Sequence, residues 1–182
     1  MKQIYKASLA LTLLFALAST AVAGWDPNKD DEATESDAAQ EAIKTFQETD
    51  PDLKTFFEKA QGYAVFPTVG KAGMGFGGAY GKGSVFEQGK EIGTTTLKQV
   101  SIGFEFGGEA YREIIFFQDK KTLDDFTKGN FELGAQASAV ALKKGASKNA
   151  DFDKGVAVFT QTKGGMMFDV SVGGQKFTFK PK

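Results

Sequence analysis

The sequence predicts an α+β chain: a single domain dominated by a curved or barrel-like antiparallel sheet, with N-terminal amphipathic helices and one short internal helix. Three observations point there. The 182 residues include 22 Gly and 18 Phe, a pairing that suits sheets in which bare glycine backbone makes room for large rings. The apolar period changes from 3.6 to 2 after Pro67. From there on, turn signals recur at short spacing, which favours a closed or strongly curved sheet.

The chain opens with a short cationic start, Met1 to Lys6, and an apolar run from Ala7 to Leu17. Ala21-Val22-Ala23 supplies the small residues of a cleavage site. Residues 1–23 therefore read as a secretory signal peptide cut before Gly24, since a membrane anchor needs a longer apolar span. Residues 24–35 read as a loose acidic leader and residues 36–182 as the domain. An exported chain is expected, periplasmic if the source is Gram-negative, and either soluble or peripherally associated with a membrane. It has no Cys, so packing alone must hold it together.

A helix is expected from Ser36 or Asp37 through Ala39, Ile43 and Phe46, which fall on one face. Asp50-Pro51 reads as a restart, an N-cap followed by proline at the first helical position. The next helix carries Leu53, Phe56, Phe57 and Ala60 as one stripe, with Gly62 closing it. Packing on the domain core is the expected use of that stripe, and membrane insertion the alternative.

Met74, Phe76, Gly78 and Tyr80 then alternate with Gly73, Gly75, Gly77 and Ala79, giving a strand with one bulky and one bare face. Val85-Phe86 leads to a Gln88-Gly89 turn, and strands follow at Ile92–Val100, around Ile102–Phe106 and at Tyr111–Phe117. Asp119 caps a short helix with Leu123 and Phe126, closed by Gly129. Residues 135–142 read as a strand with a small-residue face, or as a helix given their alanines. Gly155–Thr160, Met166–Val172 and Lys176–Phe179 read as three strands with Gly-Gly turns at 164–165 and 173–174.

Composition narrows the chemistry. The chain has neither His nor Cys, which removes imidazole-based triads, thiolate nucleophiles and Cys/His metal sites. Gly73–Gly78 satisfies G-x-G-x-x-G as a string, but strand residues flank it where a dinucleotide site needs a following helix. No nucleotide is expected, and no cofactor or metal. Glu105, Glu109 and Glu113 lie about 13 Å apart per step along a strand, too far for paired acid–base work. They are expected to face solvent, opposite Ile102, Phe104 and Phe106. The chain is not expected to be an enzyme.

The near-neutral charge is divided unevenly. Residues 24–58 hold 11 acidic and 3 basic residues, a net of −8, and residues 59–182 hold 12 and 17, a net of +5. A basic body suits an anionic surface such as lipid headgroups, although solvated surface charge is the plainer reading. Nucleic acid is not expected, because Arg112 is the single arginine and no recognition motif is present.

The stretch Ala60-Gln61-Gly62-Tyr63-Ala64-Val65-Phe66-Pro67, then Val69-Gly70-Lys71-Ala72-Gly73 and Gly75 to Gly83, resembles the opening signature of the SYLF-domain family. Gln99–Gly103, Ile114–Phe117, Leu133-Gly134-Ala135 and Lys163–Ser171 continue the likeness, which covers about residues 40–180. The resemblance implies a binding module for phosphoinositides and membranes, with actin bundling in some relatives and no known enzymatic activity. Two departures limit that transfer. The N-terminal arm is acidic where eukaryotic relatives carry a basic amphipathic helix, and an exported protein meets neither actin nor abundant phosphoinositide. Gln136 also stands where many relatives carry an acid.

Anionic phospholipid is therefore the expected ligand, with Lys71, Lys82 and Lys90 as headgroup contacts and Phe56, Phe57, Phe66 and Phe76 as acyl contacts. The alternative for these rings is the protein core. The alternative for the function is a structural or protein-interaction module of the cell envelope whose partner the sequence does not name.

Overall fold

The computed structural model describes residues 27–134 and 139–182; the expected signal peptide lies outside them. Residues 32–182 form one compact unit. Of the other unit, residues 1–31, only the helical residues 27–31 are described.

Helix α1 spans Pro27–Thr49. It begins nine residues before the expected start at Ser36, so most of the supposed loose leader is helical. Proline suits a first helical position, and no glycine or further proline follows before Pro51 to break the helix. The restart at Asp50-Pro51 forms as expected: a 3-10 turn, Pro51–Leu53, precedes α2, Lys54–Lys59.

Asp50 does more than cap. Its buried carboxylate accepts from the backbone amides of Asp52, Gly145 and Ser147 and from Ser147 Oγ, at 2.8–3.3 Å. Burial pushes this carboxyl up, but the four hydrogen bonds outweigh it and hold the group below its ordinary value. Asp50→Asn keeps the shape and loses the charge, so it is expected to cost about 1–2 kcal/mol at pH 7. Because the folded-state value is depressed, that contribution is present above the unfolded carboxyl value and is lost as pH falls through the folded one. Urea melts of both proteins at pH 7 and pH 3 check this; an equal difference at both would disprove it.

Three long strands make the sheet: β1, Gly62–Glu87; β2, Lys90–Phe117; and β5, Val156–Pro181. Two short strands, β3 (Phe131–Leu133) and β4 (Ala139–Ala141), flank β5, antiparallel and parallel respectively. The order is β1-β2-β5-β3. Gly62 does not close α2: Ala60 already leaves the helix, and strand begins at Gly62 rather than after Pro67. The Gln88-Gly89 turn forms with φ of 50° and 80°, the geometry of a tight hairpin.

The expected Gly-Gly turns in the C-terminal segment lie within one continuous strand, since β2 offers β5 a ladder along its whole length; 164–165 is a bend and 173–174 keeps the regular register. Gly165, with φ of 98°, and Gly107, with φ of 116°, take up the bending. The β1–β2 register shifts at the same level, between Met74 and Phe76. Each long strand thus has two arms, and the two arms of β1 lie side by side. A Cβ on Gly62 would stand 2.5 Å from the Phe86 carbonyl oxygen, and one on Gly83 would overlap that of Val65. The Gln88 amide donates to the Gln61 carbonyl at 3.2 Å, closing the far end. Six arms with β3 and β4 make a curled, eight-stranded half-barrel.

Two apolar clusters hold it. On the outer face α1, the 3-10 turn and α2 press Ala39, Ile43, Phe46, Leu53 and Phe56 onto Val65, Phe86, Ile114, Phe116 and Phe159. On the inner face Phe66, Leu97, Phe117 and Phe177 pack around Leu123 and Phe126. Those last two come from α3, Lys120–Asp125, and the wider turn after it, with Asp119 as N-cap and Gly129 at φ 81° as expected. Of the strand expected at 135–142, residues 139–141 are strand and 135–138 lie outside the described residues.

Candidate functional site

The bends of β1 and β2 form an apex at the end of the half-barrel away from the Gln88-Gly89 turn. Here the usual distribution of side chains is inverted. Met74, Phe76, Val100 and Ile102 are 76–79% exposed, Phe106 61% and Tyr80 51%. Register pairs Met74 with Phe106 and Phe76 with Ile102, with Gly78–Val100 and Tyr80–Lys98 next along the ribbon. Large apolar side chains left contiguous on a surface mark an interaction site.

The opposite face is polar and closed. Glu105 is fully buried, with Lys71 Nζ 3.7 Å from its Oε1 and little of the Lys71 side chain exposed. The bare positions Gly73 and Gly77 create the space: a Cβ on Gly73 would stand 2.5 Å from Glu105 Cβ, and one on Gly77 would overlap its carboxylate. Deeper along β2, Glu113 is 1% exposed and accepts from Gln175 Nε2 at 3.0 Å through one oxygen. Its other carboxylate oxygen, Oε1, is buried without a hydrogen-bond partner. Burial pushes this carboxyl up to about 7, only partly opposed by the Gln175 bond. Burial and the nearby Glu113 carboxylate push the Tyr111 phenol upward as well. The expectation that Glu105 and Glu113 face solvent is thus wrong. The ribbon curls with Ile102 and Phe106 on its convex side, which puts the carboxylates inside.

The expected site residues separate. Phe76 is at the apex, 77% exposed. Phe66 is fully buried in the inner core, and Phe56, 6% exposed in the outer one, lines a cavity of about 460 Å³ with Lys59, Lys148 and Phe152, away from the apex. Phe57 is half-buried with its ring edge-on to Tyr63 and Phe116 at 5.0 and 4.8 Å. Lys71 is turned inward to Glu105. Lys82 is exposed and pairs with Glu35 of α1 at 3.1 Å. Lys90 is exposed beside the hairpin turn, opposite Glu87 at the far end. The three lysines do not form one patch.

Sequence reading missed Val100, Ile102, Phe106 and Lys98 as surface groups. Their alternation was visible, but nothing local says which face turns out. A shallow groove of about 570 Å³ is lined by Gly70, Lys71, Tyr80, Gly108, Gly164 and Gly165. The G-x-G-x-x-G string lies inside β1 throughout, not between a strand and a helix. Among the described residues no helix is long and apolar enough to cross a membrane.

Residues 98–182, from the first arm of β2 to the C-terminus, match the model of the Ysc84 family, described as Las17-binding protein actin regulator. That match covers a little under half of the chain and likens it to the SYLF family. Beta cell expansion factor A of Aeromonas veronii is 30% identical to this chain over 137 residues, 74% of this chain and 51% of that protein. The chain thus spans about half the length of that relative. SYLF proteins are binding modules associated with lipid and actin partners.

Proposed function

We propose that this protein is a non-enzymatic lipid-binding module of the cell envelope that binds anionic phospholipid through its glycine-rich β surface. The observation that carries this is the apex, where six large apolar side chains are 51–79% exposed. Exposing them in water is unfavourable by about 25 cal/mol per Å² of apolar surface, and acyl chains relieve it. The N-terminal signal-like segment supports export, and the net charge of +5 over residues 59–182 supports an anionic surface.

Co-sedimentation of the purified chain with vesicles tests the proposal. Phosphatidylcholine vesicles containing phosphatidylglycerol are expected to retain more protein than phosphatidylcholine alone at low salt, with the excess declining as salt rises. Equal retention, or none, would overturn the anionic-lipid reading. A protein-interaction module of the envelope is the second reading, favoured by the protein ligand in the family description. Saturable binding of one envelope protein, with no vesicle binding, would select it.

A further inference from the structure

Resting on the lipid-binding reading, we propose that the apex enters one leaflet of an anionic bilayer as far as a rung formed by Tyr80, Lys98 and Lys176, which stands at the phosphate level. Tyr80 faces Lys98 across β1 and β2, and Lys98 faces Lys176 across β2 and β5. All three are exposed. Placing two ammonium groups directly opposite each other on one face is unfavourable in a sheet. Glu132, 2.8 Å from Lys176, offsets part of this on the β3 side. Phosphate groups in the plane of the rung would offset the rest.

The distances fit a leaflet. Val100 and Ile102 follow Lys98 on the same face of β2 and are 76% and 79% exposed. Ile102 lies four residues beyond the rung, about 13 Å at roughly 3.3 Å per residue. The hydrocarbon of one leaflet is about 15 Å deep, half of roughly 30 Å. Phe76 is opposite Ile102, with Met74 beyond it, so the apolar side chains occupy that depth on both strands. Tyrosine and lysine at its upper limit match the groups that settle at a membrane–water boundary. The charged pair Lys71–Glu105 is turned to the interior, so that the inserted end presents no charge to the acyl chains from this pair. These features select a bilayer as occupant over a second copy or a soluble protein.

The test uses the full chain with Trp25 replaced by Phe and a single tryptophan placed by Phe76→Trp or by Tyr80→Trp. Vesicles of phosphatidylcholine and phosphatidylglycerol carry bromines at defined acyl depths. The indole introduced at position 76 is expected to shift to the blue and to be quenched by bromines within the chains. The one introduced at position 80 is expected to respond only to a headgroup-level quencher. Phe76→Ser with Ile102→Ser should leave the melting temperature unchanged, because both sites are exposed, while lowering vesicle partition about tenfold or more. Lys98→Gln with Lys176→Gln should reduce the preference for anionic vesicles about tenfold or more. Undiminished partition of the serine variant, or an indole at position 76 that acyl bromines do not quench, overturns the insertion geometry and leaves lipid binding standing. A wild-type chain that binds neither vesicle overturns both. Burial of the position-76 indole by concentration-dependent self-association without vesicles assigns the apex to a second copy and overturns the insertion.

Discussion

Phe116→Ala is expected to destabilise the fold by about 3–5 kcal/mol, the usual cost of removing a buried ring with little local collapse. Phe116 is fully buried where the helices meet the convex face of the sheet. Its ring centroid lies 4.8 Å from that of Phe57, 5.6 Å from Phe56, 5.9 Å from Tyr63 and 6.0 Å from Phe159. Those neighbours come from α2, β1 and β5, so no single movement can fill the cavity. Chemical denaturation of the variant and the parent measures the loss. A difference below about 1 kcal/mol would mean that the helices pack on the sheet by another route. Far-UV circular dichroism should keep its sheet signal, because Phe66, Phe117 and Phe177 hold the inner core separately.

Glu113→Gln is expected to stabilise the protein at alkaline pH. The Glu113 carboxyl is raised from 4.5 to about 7 by burial, so the native state holds its proton more tightly than the unfolded chain. The contribution of Glu113 is then most favourable below about pH 4.5, declines as pH rises towards 7, and is level above that. At about 1.36 kcal/mol per pKa unit, the charge in the native interior costs about 3 kcal/mol above pH 7. Glutamine retains an acceptor for Gln175 Nε2 and carries no charge. Urea midpoints at pH 4.5, 6 and 8 should show a variant-minus-parent difference that grows with pH. A difference independent of pH would show that Glu113 does not titrate between the folded and unfolded states.

Much of the fold was legible because it depends on local chemistry. Asp50-Pro51, the Gln88-Gly89 turn and the Asp119 cap all act over two or three residues, and all three formed where the sequence placed them. Continuity of the strands was not legible. The glycine pairs at 164–165 and 173–174 read as turns, yet a ladder with β2 keeps β5 extended through both. Only the partner strand decides between a bend and a reversal. The helix from Pro27 was missed for a different reason: its acidic residues suggested solvation, and the helix carries them without interruption to Thr49.

The candidate site shows the same division. Of the residues chosen from sequence, Phe76 reached the apex, while Phe56 and Phe66 went into the two cores and Lys71 turned inward to a carboxylate. Lys98 and Lys176 are far apart in sequence, and antiparallel pairing sets them side by side.

By itself the sequence determined the alternation along each strand, the glycine-rich ribbon and the excess of basic charge in the body. It also carried the pattern of the SYLF family. Which of two alternating faces turns to water was decided by the tertiary structure alone. A period of two is symmetric between the faces, and curling the ribbon breaks that symmetry. Curling places Glu105 over Gly73 and Gly77 on the inside and leaves Phe76, Ile102 and Phe106 on the outside.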